Sequence, residues 1–301
     1  MNLPHAMLPA TWISRRFGFA DYIELTKPGV TSLILFSTLV GFYLGSEQGI
    51  QILLLAHTLI GTALVAGGTA ALNQYWERVG DAKMWRTRSR PLPMGRMAPW
   101  KALWFGIALS IAGTLYLCWK VNLLSGALAA LTLASYLFLY TPLKTRTPLC
   151  TMVGSFPGAV PPLIGWAAAH GSLTPVAWVL YGILFLWQFP HFFSIAWLYR
   201  DDYERAGILM LPVVQPDCES TARQIVIYAS ALLPVSLIPT FLGITGPIYL
   251  SGALLLGSAF LYFAVRTALV KTKLEARRLL QASVIYLPLV YGLMLIDKTA
   301  R

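Results

Sequence analysis

Charge is what this 301-residue sequence has least of. Asp, Glu, Lys and Arg together make up 12% of it, and only twelve residues are acidic. An ordinary soluble domain carries about twice that share, so a water-soluble globule with a charged surface is excluded. Cysteine is equally scarce. Cys118, Cys150 and Cys218 show no CxxC or other metal-ligand spacing, which excludes a disulfide framework and leaves three side chains that pack. A cleavable leader is not expected either, because Arg15 and Arg16 precede the first apolar run without a small-residue cleavage site.

What the chain has instead is apolar length. Hydrophobic residues make up 57% of it, and runs of about 20, enough to cross a hydrocarbon core as helices, recur from end to end. Nine spans are predicted, over 29–45, 50–72, 100–119, 123–140, 150–169, 174–198, 222–244, 247–270 and 278–296. The runs are continuous rather than alternating, so helices are expected and not an outer-membrane barrel. The fold class is therefore all-α, a polytopic bundle of about nine transmembrane helices, with residues 1–301 forming one membrane-embedded domain. The net charge of +11 needs no nucleic acid to explain it. With the N-terminus inside, the inner side carries 20 Lys and Arg and the outer side 3, which is the positive-inside asymmetry.

Most connections are minimal, but residues 73–99 and 199–221 form two long charged loops, and both face inward. Loops of that size in a tight bundle are usually functional. Asn73, Glu77 and Asp81 are spaced four and four, on one face of a helix that extends out of the second span. A carboxamide and two carboxylates on one face can hold Mg2+, which takes one or two protein carboxylates and completes its shell with water and phosphate oxygens. Lys83, Arg86, Arg88 and Arg90 follow at once, and guanidinium groups suit phosphate. Alone, this loop reads equally as a solvated helix end on a basic face. The second loop, YRDDYERAGILMLP at 199–212, repeats the acidic pattern with Asp201, Asp202 and Glu204 beside Arg200 and Arg205. Two acidic clusters on one face point to two metals on one diphosphate.

Inside the spans, His191 lies in LWQFPHFFSIAW, next to Pro190, and an ionisable residue at membrane depth is a functional candidate. His57 is nearer the outer side and reads as structural. The segment GSFPGAVPPLIGW (154–166) has three prolines and three glycines, and predicts a broken helix that lines a cavity or packs on protein. Before it, YTPLKTRTP adds Lys144 and Arg146 to the inner face. Tyr75, Trp187 and Phe192 are candidate pocket aromatics. DYIELTKP (21–28) reads as a short interfacial helix, closing an inner N-terminal segment of residues 1–28.

Three motifs in order, NxxxExxxDxxMxRTxxRPLP, then YTxxxKxRTP with GxxPGAxPPLIGW, then WQxPHFxxxAWxYxDDYxxAGxxMLPV, resemble the protohaem IX farnesyltransferases (haem O synthases). These are a branch of the UbiA-type intramembrane prenyltransferases. The resemblance implies a helical bundle around a central cavity, capped by the charged loops on the cytoplasmic side. An N-terminal segment without an Arg/Ser-rich transit pattern favours a bacterial inner membrane over an organellar one as the expected location. It implies Mg2+ as cofactor, farnesyl diphosphate and haem B as substrates rather than prosthetic groups, and haem O as product. Carried over by position, Asn73, Glu77, Asp81, Asp201 and Asp202 would be the catalytic and metal residues. Arg86, Arg90, Lys144, Arg146, Arg200, Tyr199 and His191 would bind substrate, His191 on the haem side. The second motif reads DDYER, with Arg205 four residues after Asp201, so which carboxylate there holds metal stays open. The implied partners are the lipid bilayer and, as candidates, a haem A synthase or terminal-oxidase assembly factors, with no nucleic acid. Other acceptors, such as a quinone precursor, would keep the acidic loops without the RTRSRPLP and PHFF context. A transporter would carry ionisable residues along a mid-membrane path. A haem redox protein would show paired axial ligands, and His191 has no evident partner.

Overall fold

The computed structural model describes residues 18–47 and 49–299; His5, Arg15, Arg16 and Arg301 lie outside the described residues. Every regular element among the described residues is a helix, apart from a single isolated bridge between Thr245 and Lys298. A short α1 (Phe19–Leu25) precedes the long α2 (Pro28–Gly45), α3 (Ile52–Lys83) and α4 (Pro99–Lys120). The next span starts as α5 (Leu123–Ala134), widens into a π-helical turn (Ser135–Tyr140) and ends as α6 (Thr141–Leu143). Two half-length helices follow, α7 (Cys150–Gly158) and α8 (Pro161–His170), and then the long α9 (Pro175–Leu198). The short α10 (Arg200–Arg205) and α11 (Leu211–Val214) lead to α12 (Glu219–Phe241), α13 (Pro247–Val270) and α14 (Lys273–Ile296).

Eight of these segments are long and apolar enough to cross a membrane, which makes this an integral membrane protein. The ninth predicted span, 150–169, is present as the α7–α8 pair. Helices are the outcome because a spanning segment must satisfy its own backbone groups where water cannot. Their starts are local. Pro28, Pro99, Pro175 and Pro247 each occupy the first turn, where the missing N–H costs nothing. Asn122 accepts from the N–H of Ser125 at 2.8 Å to start α5. Pro157 and Pro161 bracket the break between α7 and α8, and the Gln188 amide of α9 donates to the Ser155 carbonyl beside it at 3.2 Å.

The apolar core runs between α9, α12, α13 and α14 and continues into α2, α5 and α8. α2 and α8 pack backbone to backbone. A Cβ at Gly165 would sit 1.8 Å from the Thr38 carbonyl oxygen, and one at Gly41 would sit 2.1 Å from that of Pro162. Small residues allow this approach, and in lipid such packing is a main source of helix association. α14 packs against both α9 and α2, so the last span returns to the first. The charged connections gather at one end of the bundle, and the opposite end has short turns.

Candidate active site

α3 continues past the apolar stretch to Lys83 and presents Asn73, Glu77 and Asp81 along one face at the charged end. Asn73 and Asp81 are 1% exposed. Each of the three meets a base from a different segment. Lys27 Nζ donates to Asn73 Oδ1 at 2.9 Å, Lys144 Nζ to Glu77 Oε1 at 2.5 Å, and Arg90 Nη1 to Asp81 Oδ2 at 2.7 Å. Asn73 also donates to Thr141 Oγ1 at 3.4 Å. Lys27 reaches this position from a left-handed backbone conformation, φ 48°, at the joint between α1 and α2.

Electrostatics separates the bases. Burial pulls the Lys144 ammonium down, but Glu77 and then Tyr140 outweigh it and hold its pKa well above the usual range. Lys27 has only a carboxamide as direct partner. Burial and the neighbouring Arg90 push its pKa down to about 7, and Glu77 offsets this only in part. The π turn faces Tyr136 and Tyr140 toward the same point, with Lys144 Nζ 5.8 and 4.4 Å above their rings. π turns inside helices recur at functional sites. The cluster thus holds fixed oxygen donors, an excess of cations and an aromatic floor, an arrangement suited to an anion with its metal.

The second loop closes over the first. Asp202, 7% exposed, accepts the backbone N–H of Trp85 and of Arg86, both at 3.2 Å, and pairs with Arg205. Arg205 Nε donates to the Lys83 carbonyl at 3.4 Å, one of the orphan carbonyls at the end of α3. Leu209 N donates to the Lys144 carbonyl at 2.7 Å. Arg86 lies over the rings of Tyr199 and Tyr203, and its Nη2 reaches the Tyr203 hydroxyl at 3.4 Å. Burial raises the Tyr203 pKa, so that hydroxyl keeps its proton.

The remaining sequence candidates are more dispersed. Asp201 is exposed, with Lys273 Nζ at 3.1 Å and Arg200 Nε at 3.7 Å, and the Lys273 hydrogen bond lowers its pKa. Arg200 donates to the Pro216 carbonyl at 3.2 Å, and Arg146 lies on an exposed turn. Tyr75 packs with Leu25, Ala71 and Met97, beside α1. His57 meets Tyr116 at 2.7 Å, the structural role expected of it. His191 lies within α9, stacked on Trp187, with Nδ1 2.8 Å from Ser283 Oγ. An open cleft of about 620 Å3 between α1 and the start of α4, lined by Tyr22, Trp100 and Trp104, includes none of Asn73, Glu77, Asp81 and their basic partners.

Sequence reasoning did not single out Lys27, Thr141, Tyr136, Tyr140 or Tyr203. The signal for Lys27 was in DYIELTKP, where a lysine stands directly before the proline that opens the first span. Among the described residues no three acidic, His or Cys side chains converge as a ready-made metal group. The donor chemistry nevertheless fits Mg2+, since Glu77 and Asp81 supply hard oxygens one helical turn apart and such a site leaves other positions to phosphate and water.

Comparison with known proteins agrees with this arrangement. Residues 34–286 match the UbiA prenyltransferase family. A protohaem IX farnesyltransferase of Solibacter usitatus is 62% identical over 287 residues, covering 92% of this chain and 98% of that one. One from Koribacter versatilis is 48% identical over 289 residues, 93% of each. Among solved structures, a digeranylgeranylglyceryl phosphate synthase superposes with a TM-score of 0.78 at 18% identity, over 92% of this chain and 97% of that one. A UbiA homologue from Archaeoglobus fulgidus bound to GPP and Mg2+ gives 0.62 at 14%, over 91% and 99%. These structural likenesses speak for the fold.

Proposed function

We propose, from the premise that this chain belongs to the UbiA prenyltransferase family, that this prenyltransferase moves the farnesyl group of farnesyl diphosphate onto haem B, giving haem O. The observation that carries the reading is the row of Asn73, Glu77 and Asp81 interleaved with Lys27, Lys144 and Arg90 at the mouth of an apolar bundle. The choice of haem rests on the two bacterial farnesyltransferases, which match over nearly their whole length.

In this reading Glu77, Asp81 and Asn73 would hold Mg2+, which neutralises the leaving diphosphate as a Lewis acid. Lys27, Lys144, Arg90 and Arg86 bind the diphosphate oxygens and stabilise the charge that develops as the allylic C–O bond breaks, the bonding pair leaving with diphosphate. Lys144 and Arg90 are released from their carboxylates as the anion and its metal arrive. Tyr136 and Tyr140 offer ring faces to the allylic cation, and the apolar helices exclude bulk water until transfer. The terminal carbon of the haem 2-vinyl group bonds to farnesyl C1. The carbon next to the ring then takes a water, which loses a proton and leaves the hydroxyethylfarnesyl group. Asp202 acts by holding the second loop on the first, and exposed Asp201 is the second-loop carboxylate open to a further metal. The 20-to-3 distribution of Lys and Arg orients the site toward the cytoplasm.

The test is turnover by purified protein in detergent with haem B, farnesyl diphosphate and Mg2+, read by mass spectrometry of the extracted haem. A Mg-dependent hydroxyethylfarnesyl product is expected, and Asp81→Ala should lower its rate about 100- to 1,000-fold, the scale of losing one transition-state stabiliser. Unmodified haem alongside prenylated 4-hydroxybenzoate would sink the haem reading and keep prenyl transfer.

A further inference from the structure

His191 has a constraint that its residue type alone does not reveal. Its Nδ1 lies 2.8 Å from Ser283 Oγ, and that same Oγ donates to the Leu280 carbonyl at 2.6 Å. A hydroxyl has one proton, and a carbonyl oxygen only accepts. For both contacts to be hydrogen bonds, the Ser283 proton must go to Leu280, so the His191–Ser283 bond must be donated by Nδ1–H. In the neutral imidazole, the form expected at membrane depth, the proton on Nδ1 leaves Nε2 with its lone pair.

Two further contacts fix the ring. Trp187 stacks on the imidazole, centroids 4.6 Å apart and planes 20° apart, and its Nε1 donates to the Ser283 carbonyl at 2.8 Å. Both side chains that orient His191 are thus tied to one residue of α14. Nε2 makes no hydrogen bond to the described residues, and the imidazole keeps partial exposure. His191 stands seven residues from the end of α9, about 10 Å below the charged cap at 1.5 Å per residue.

We infer that Ser283 is a positioning residue that locks His191 as the Nδ1–H tautomer, so that Nε2 is presented as an axial ligand to the iron of bound haem. The inference rests on haem being the acceptor, as proposed above. A hydrogen-bond acceptor behind a ligating imidazole fixes its tautomer and raises its basicity, and removing such a partner typically costs 10- to 100-fold in metal affinity. Iron held by His191 anchors the macrocycle in the apolar bundle, beneath the diphosphate cluster.

The experiment is a titration of haem B into purified full-length protein without farnesyl diphosphate, following the Soret band. Wild type is expected to give a histidine-ligated spectrum that His191→Ala loses and added imidazole restores. Ser283→Ala is expected to weaken haem binding about 10- to 100-fold with an unchanged thermal melt, while Ser283→Thr, which keeps the hydroxyl, retains the wild-type spectrum. Should Ser283→Ala fail to fold, Ser283→Cys keeps the volume with only a weak acceptor and is read the same way. A wild-type spectrum and affinity in the Ser283 variant, or an unchanged spectrum in His191→Ala, would overturn the inference. If wild type still prenylates haem in that event, the proposed function survives. If wild type neither binds nor prenylates haem, both fall.

Discussion

At the scale of single residues, the site is a set of buried charges that depend on one another. Glu77 and Lys144 are both mostly buried and 2.5 Å apart. Removing one member of such a pair leaves an uncompensated charge and costs about 3–5 kcal/mol, whereas replacing both by neutral side chains is close to neutral. Lys144→Met should therefore lower the unfolding midpoint in detergent clearly, and adding Glu77→Gln should recover the midpoint without recovering turnover. A double variant as unstable as the single one would show that the pair is not the origin of the loss. Lys27 carries a different signature. With its pKa pushed down to about 7, it is half-charged near neutrality and neutral above. An anion bound beside it favours the charged form, so between the free and bound pKa values diphosphate binding takes up a proton. Affinity for farnesyl diphosphate should fall by up to about tenfold per pH unit above 7, and this contribution should be flat below it. Lys27→Arg stays charged throughout, so its binding curve should lose this part of the slope when Kd is measured across pH 6–9.

At the scale of elements, the α2–α8 contact is the most demanding. A methyl at Gly165 would overlap the Thr38 carbonyl, which is backbone and cannot move aside, whereas one at Gly29 in α2 meets nothing within 4 Å. Gly165→Ala should cost about 3 kcal/mol or more, at the upper end of overpacking penalties, and Gly29→Ala nothing or a slight gain in thermal unfolding. This contact falls in the segment whose prolines and glycines announced a broken helix, and the break is there. The nine spans, the short α1 and the one-faced row at 73, 77 and 81 were also legible, because apolar length and i,i+4 spacing are local properties. The π turn at 135–140 was not, since SYLFLY reads as any apolar helix. Nor were the partners of the carboxylates. Lys27 and Asn73 are 46 residues apart and Lys144 and Glu77 are 67 apart, and no periodicity links them. Asp202 was expected as a metal residue from its place in the second acidic motif, and its two bonds to the backbone of Trp85 and Arg86 follow only from the fold.

For the whole molecule, the two ends of the bundle have different work. At the charged end, three connections interlock through Asp202, Arg205 and the Lys144 carbonyl, next to the row of Asn73, Glu77 and Asp81. At the other end the turns are short, and Lys298 Nζ donates to the carbonyls of Tyr43 and Ser46, both at 2.7 Å, stitching the C-terminal end to the close of α2. That lysine, although basic and outside the inner cluster, is engaged in capping a helix, so it weakens the charge asymmetry less than its sign implies. On the proposed orientation, the asymmetry would set which end meets the cytoplasm, and with it the side from which the diphosphate substrate would arrive. Thr145, on the exposed turn after α6, and Ser172, on the exposed turn after α8, mark the two ends. On a background without the three native cysteines, Thr145→Cys should resist a membrane-impermeant thiol reagent in intact cells and react once the membrane is opened. Ser172→Cys should react in both conditions. The reverse pattern would turn the site outward and break the link between the basic loops and a cytoplasmic supply of substrate.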